Sequence, residues 1–312
     1  EEGRWGIIYC PKNGLLSSPE KRWEHTERCL LSHGIEFDMV QSENPRSVDR
    51  LVRMLVSNGY KTIIIYGGDS ALNDAVNYLM LLEPEERDKI TLGVIPNGVL
   101  NDFAHFWGFD ESHVEKTIMW LKQKRVRRVD IGCIRYENKK NERCRRYFLN
   151  CVNLGMAAAM VKLRRRYQHF WGGLGLLREL SSALMLVWHR HSARVRFTTG
   201  VETFEQRITT LCVGSCTGYG QTPSAVPYNG MLDISAVRRP RLFEAFAGLW
   251  HLLRGRFLSQ QKSVSVWRTR HVKFFQVGQG TVTIDSRPIR HRVSTMDVEV
   301  LRESQPFWVP VD

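Results

Sequence analysis

Cysteine, long apolar runs and acidic residues are all in short supply. The seven cysteines (Cys10, Cys29, Cys133, Cys144, Cys151, Cys212, Cys216) are odd in number and scattered, with no Cys-x-x-Cys pair. A disulfide scaffold and a zinc ribbon are therefore excluded, and buried free thiols in a reducing compartment are expected. The best candidate for a membrane span, residues 181–188, falls far short of the roughly 20 apolar residues that a span needs. The leading Glu-Glu-Gly-Arg-Trp lacks the basic and apolar regions of a signal peptide. No Walker A sequence and no His-Glu-x-x-His spacing occur. A soluble, cytoplasmic protein is expected.

Asp and Glu number 32 against 45 Lys and Arg, which leaves a formal charge of +13. Such a field favours a polyanionic partner, either nucleic acid or an anionic membrane surface. Basic clusters recur at 122–128, 139–146, 162–166, 238–241 and 254–256, and several interleave with Phe170, Trp171, Trp250 and Phe257. Cations beside aromatics suit a lipid headgroup layer, so peripheral membrane contact is expected. No RNA- or DNA-binding motif accompanies them, and no specific nucleic-acid partner is expected. The rest of the composition, 43% hydrophobic and 25% charged over 312 residues, is that of a globular chain long enough for two domains.

The first 130 residues alternate between strand and helix patterns. Apolar runs at 6–10, 35–40, 61–66 and 90–95 read as buried strands, and helical patterns over 20–33, 48–58 and 73–82 separate them. This order predicts a mainly parallel sheet covered on both faces. Near Val129 the pattern changes. Short strand-like runs follow at 147–152, 193–198, 208–213, 232–237, 264–267, 271–275 and 282–284, with helical stretches at 174–189 and 243–253. The expected fold class is α/β plus β. An α/β domain would span 1–129, completed by 293–312, and a second, mainly antiparallel domain would span 130–292.

Two glycine-containing turns in the first domain are placed for chemistry. Tyr66-Gly67-Gly68-Asp69-Ser70-Ala71 lies between a strand and a helix, and Pro96-Asn97-Gly98-Val99-Leu100-Asn101-Asp102-Phe103 follows the next strand. Glycine lets the backbone approach a phosphate closely, and the free N–H groups of a following helix attract negative charge. In a parallel sheet both turns fall at the carboxyl edge, where ligands bind. Asp69 would add a carboxylate able to hold Mg²⁺ or polarise a hydroxyl. A third glycine cluster, Gly172-Gly173-Leu174-Gly175, has no preceding strand and reads as the approach to a helix.

In this order and spacing the two turns resemble the diacylglycerol kinase-like lipid kinase family, which includes sphingosine kinases and bacterial soluble lipid kinases. The family's Gly-Gly-Asp-Gly-Thr is similar to Gly67 to Ala71, and its Ile-Pro-x-Gly-Thr-x-Asn-Asp-Phe-Ala to Ile95 to Ala104, completed by Trp107-Gly108. Later landmarks are Val129-Asp130-Ile131-Gly132, Tyr147-Phe148-Leu149-Asn150 with Gly155 and Ala158, Tyr219-Gly220, Pro227 to Asp233, and Asp285. The resemblance implies ATP- and Mg²⁺-dependent phosphorylation of a lipid hydroxyl, diacylglycerol-like or sphingoid, in a cleft between a nucleotide domain and a β-sandwich-like lipid domain. Carried over by position, Ser42, Gly67, Gly68, Asp69, Ser70, Asn97, Gly98, Asn101 and Asp102 would bind the nucleotide. Asp285 and Asp69 would be catalytic, and Asp69, Asn229 and Asp233 would hold metal.

The departures bear on activity. Ser70-Ala71 replaces Gly-Thr, Val99-Leu100 replaces Thr-Gly, Asn229 stands at an Asp position, and Ser286-Arg287 replaces Gly-Glu. Each removes a small residue, a hydroxyl or a carboxylate from the implied site. A catalytically degenerate lipid- or nucleotide-binding relative is therefore the alternative. An NAD kinase, which shares the Gly-Gly-Asp turn, is disfavoured by the second turn and the later landmarks.

Overall fold

The fold is that of a computed structural model, which describes residues 3–11, 18–44, 47–98, 100–137, 142–155, 158, 193–200, 202–218, 221–238, 264–277, 281–289 and 293–310. The expected helices at 174–189 and 243–253, the 172–175 glycines, Tyr219-Gly220 and the basic clusters at 162–166 and 254–256 lie outside the described residues. The chain divides into two compact units, one of Glu1–Val129 with Glu303–Asp312, the other of Asp130–Arg302.

In the first unit β1 (Trp5–Tyr9), β2 (Phe37–Gln41), β3 (Thr62–Gly67) and β4 (Thr91–Pro96) form a parallel sheet, with the end of β15 (Met296–Trp308) added beside β4. The order is β15-β4-β3-β1-β2. All five residues of β1 are buried, and so are all but the first of β3 and β4. That is what continuous apolar runs produce when helices cover both sheet faces. Helix α1 (Pro19–Ser32) starts on Ser18, whose side chain accepts from the Lys21 amide, with Pro19 in the first turn. Helix α2 (Val48–Ser57) buries Val48, Val52 and Leu55, one stripe at helical spacing. Helix α3 (Asp69–Leu79) packs against α2, and α6 (Val114–Lys122) packs against α1. Two short helices complete the unit, α4 (Pro84–Arg87) and α5 (Asp102–Phe106).

The sequence pattern starts the third helix at Asn73, but α3 begins at Asp69. Gly68, in extended conformation, is its N-cap, so Ser70 and Ala71 form the first turn. The turn and the helix are thus one feature.

The second unit is antiparallel where its strands are described. Its strands are the body of β5 (Val126–Glu137), β6 (Arg143–Phe148), β7 (Cys151–Gly155), β8 (Ala193–Thr199), β9 (Glu202–Gly214), β10 (Leu232–Arg238), β11 (Val264–Thr269), β12 (His271–Gln276), β13 (Val282–Ile284), β14 (Arg287–Pro288) and the first part of β15. Alternate residues face a common core, among them Val152 and Leu154, Val195 and Phe197, Val272 and Phe274. Phe274 lies opposite Phe197 in register, and Trp267 meets Phe197 edge to face at 5.2 Å. The run expected as one strand at 147–152 is broken at Leu149-Asn150, which ends β6 and starts β7. Strand β15 crosses from the second unit to the first, and Glu303 at the crossing takes φ +46°.

Candidate functional site

Strands β3 and β4 are neighbours, with Gly67 opposite Pro96, so the two glycine turns leave the same carboxyl edge of the sheet. They are bonded to each other. The Asn97 amide donates to the Gly67 carbonyl (3.0 Å), and the Asp69 amide donates to the Leu100 carbonyl (3.0 Å). Asn101 grips Gly98 at both ends, accepting from its N–H at 2.8 Å and donating to its carbonyl at 3.1 Å. Asn97 Nδ2 donates to the Cys10 carbonyl at 3.0 Å, which ties in the end of β1.

The Asp69 carboxylate is 4% exposed and accepts from the amides of Asp102 (2.9 Å) and Phe103 (3.2 Å). It therefore caps α5 from the side, as a carboxylate at a helix start does. Gly68 and Gly98 touch back to back. A Cβ built on Gly98 would stand 2.2 Å from the Gly68 Cα, and one built on Gly68 would stand 2.6 Å from the Gly98 Cα. Seven expected residues thus come together: Gly67, Gly68, Asp69, Asn97, Gly98, Asn101 and Asp102. Ser70 follows in the first turn of α3, half-buried. What the arrangement offers is backbone at close range and the positive end of α3, which suits an anion.

Ser42 sits at the same edge, just after β2, but its hydroxyl is spent locally. It donates to the Asn44 carbonyl at 2.8 Å and shares a 2.8 Å hydrogen bond with Ser47 Oγ. Beside the turns, burial pushes the Tyr9 phenol up to about 12 and raises that of Tyr66, so both stay neutral. Tyr9 Oη donates to the Pro19 carbonyl, and Tyr66 Oη accepts from Thr26. A cavity of about 620 Å³ lies elsewhere in this unit, lined by Arg4, Trp5, Ile35, Glu36, Lys122 and Lys124 at the amino edge of β1 and β2. It contains none of the expected residues.

Asp285 belongs to the second unit. It is 1% exposed, and its carboxylate accepts from three successive amides, Leu149 (2.7 Å), Asn150 (2.9 Å) and Cys151 (2.9 Å). Asp285 and Ser286 both take positive φ, +41° and +67°, between β13 and β14. This is the two-residue hairpin turn that favours glycine at its second position. The geometry gives the carboxylate a structural task, joining this hairpin to the β6–β7 connection.

Each residue expected to hold a metal already has partners within the protein. The Asp69 oxygens take the two α5 amides. Asn229 is exposed, and its Oδ1 accepts from the Met231 amide at 2.9 Å. Asp233, 2% exposed, carries a two-pronged ion pair with Arg268, Nε to Oδ1 at 2.6 Å and an NH2 nitrogen to Oδ2 at 3.0 Å. No group of three His, Cys, Asp or Glu side chains is placed to hold a metal among the described residues.

Two side chains escaped the sequence reading. Arg268 is one, hidden by a separation of 35 residues from Asp233 that strand register alone closes. Asn150 is the other. Its side chain is fully buried, and neither side-chain amide atom has a hydrogen-bond partner among the described residues, while its backbone amide donates to Asp285. The motif position of Asn150 was visible in the sequence, but its burial was not.

The molecule is thus an α/β unit with paired glycine turns at the sheet's carboxyl edge, followed by an antiparallel β unit. Residues 4–134 match the diacylglycerol kinase catalytic domain, and this stretch is similar to the diacylglycerol kinase-like lipid kinase family. A Shewanella frigidimarina protein named probable lipid kinase YegS-like is 25% identical over 69% of this chain and 67% of its own length. The diacylglycerol kinase of Bacillus subtilis is 24% identical over 65% of this chain and 63% of its own. The crystal structure of a diacylglycerol kinase from Bacillus anthracis superposes with a TM-score of 0.67, covering 99% of this chain and 97% of that one at 15% identity. That last likeness is one of fold.

Proposed function

We propose that this protein transfers the γ-phosphoryl group of ATP to the hydroxyl oxygen of a diacylglycerol-like or sphingoid lipid. The observation that carries the reading is the double turn, Gly67-Gly68-Asp69 bonded to Asn97 through Asp102, at the start of α3 and within the stretch that matches the catalytic domain. Backbone without side chains beside a helix start suits nucleotide phosphates. Bound Mg²⁺ neutralises charge on those phosphates. It would arrive with the nucleotide, because the carboxylates of Asp69 and Asp233 are already engaged.

The chain's own contribution is positioning. Asn101 fixes Gly98, Asp69 orients α5, and Asp285 orients the 149–151 amides. Phosphoryl transfer demands little covalent work from a protein, so carboxylates used this way are compatible with turnover. On this reading they are positioning residues, whereas the family resemblance implied a direct catalytic role for Asp69 and Asp285.

Access to a bilayer lipid would be peripheral. Among the described residues no helix is long and apolar enough to cross a membrane. On the outward side of β8 and β12, Phe275 is 47% exposed, with the guanidinium of Arg196 5.9 Å and the ammonium of Lys273 5.5 Å from its ring centroid. An aromatic ring flanked by cations suits an anionic headgroup layer.

Binding of nucleotide or lipid without turnover is the second reading, favoured by the engagement of the Asp69 and Asp285 carboxylates. Labelled ATP offered with a lipid panel in mixed micelles, and with NAD as control, separates the readings. Transfer to a lipid hydroxyl that falls by about tenfold or more in a folded Asn101→Ala variant supports the kinase. Lipid or ATP binding with no transfer supports the second reading, and transfer to NAD overturns both.

A further inference from the structure

A buried carboxylate needs hydrogen-bond donors or a cation, and Asp233 has a cation within the chain. Asp233 is the second residue of β10 and lies directly opposite Arg268 of β11. The guanidinium meets both carboxylate oxygens at 2.6 and 3.0 Å, and the same NH2 nitrogen donates to the Ser224 carbonyl at 3.0 Å. Ser224 lies in the connection between β9 and β10, which is also held from Asp130. The Asp130 amide donates to the Pro227 carbonyl, and the Asp130 carboxylate accepts from the Gly230 amide at 2.6 Å. Arg268 therefore neutralises a buried acid and ties a loop carbonyl to a strand. A structural divalent cation performs those two tasks with oxygen ligands.

We infer that Arg268 is the resident cation of the Asp233 site, and that this site is built to hold together without a metal ion. The fork geometry supports this. A guanidinium presents two parallel N–H donors to a carboxylate and has further donors for a carbonyl, which an ammonium or a hydrated ion does not reproduce. The position of Asn229 agrees. Its side-chain oxygen closes a turn onto Met231, and as an amide it brings no charge toward a cation. The site is independent of the kinase reading and needs no nucleotide or lipid for its test.

The experiment uses the full chain without nucleotide. Thermal unfolding is followed after exhaustive EDTA treatment, then with MgCl2 or CaCl2 added. The expected midpoint is the same in all three within about 1 °C, whereas a structural ion present at roughly 100 times its Kd would raise it by several degrees. Denaturant unfolding of Asp233→Asn, Arg268→Gln and the double variant supplies the second readout. A direct pair predicts that the double variant's unfolding constant falls short of the product of the single effects by about tenfold or more. A midpoint that drops in EDTA or rises with either ion overturns the inference, and so do multiplicative single effects. If Asp233→Asn does not fold, the chelation result decides alone.

Discussion

Ser286 holds φ +67° in the turn after β13, a conformation that costs a residue with a Cβ and costs glycine nothing. Ser286→Gly should therefore stabilise the protein by about 1 kcal/mol, read as a higher denaturant midpoint at unchanged slope. The neighbouring carboxylate carries the opposite expectation. An amide at 285 offers one acceptor oxygen and turns an NH2 toward donors, leaving at least one of the Leu149, Asn150 and Cys151 amides unmatched. Asp285→Asn should lose about 1–3 kcal/mol in the same measurement. A variant as stable as the wild type would return Asp285 to a purely chemical role. At the paired turns, Gly98→Ala forces a Cβ onto the Gly68 Cα, and neither partner is a flexible side chain that could move aside. The expected cost is near the upper end of the about 1–3 kcal/mol typical of overpacking. Loss of nucleotide binding in such a variant would report a sprung turn as much as a blocked phosphate.

At the scale of elements, β2 is the edge strand of the first unit, and it is held by a small charge cluster. Asp38 accepts from the Tyr60 hydroxyl and from Arg4, and the Tyr60 hydrogen bond, followed by Arg4, holds its carboxyl below the ordinary value. A lowered native pKa contributes stability above the unfolded pKa, near 4, and loses it as pH falls through the native value. The midpoint difference between wild type and Asp38→Asn should therefore be present at neutral pH and close at more acid pH. It should stay small throughout, because the pair is partly exposed. Elements of this unit were legible where burial is continuous: β1, β3 and β4 are apolar along their length, and α2 shows its stripe. The β5–β6 hairpin was illegible because Arg143, Arg145 and Arg146 face solvent from β6, and alternation with arginine does not look like a buried strand. The turn residues were legible as a constellation. Their use was not, because the partners of Asp69 and Asp285 are backbone amides, which every residue but proline possesses and no sequence displays.

At the scale of the molecule, the +13 charge is the property most open to test. The protein should co-sediment with anionic vesicles at low salt and release as the Debye length shrinks. Arg196→Glu with Lys273→Glu should weaken that binding without moving the unfolding midpoint. Equal binding to neutral vesicles at high salt would contradict the docking face. The path of the chain through its two units has a further consequence, for biosynthesis. The first unit is completed by residues 303–312, after the chain has made all of 130–302. Its final stretch brings Phe307 beside Leu92 of β4 and against Phe103, while Trp308 packs on Trp5 of β1 at 5.1 Å. On the ribosome, the glycine turns therefore emerge early but rest on a sheet that lacks an edge strand until residues 303–308 are made. Until then β4 is an open, apolar border available to other nascent chains. A nonsense change near residue 300 would leave both turns intact in sequence and still deliver an amino-terminal unit prone to aggregate.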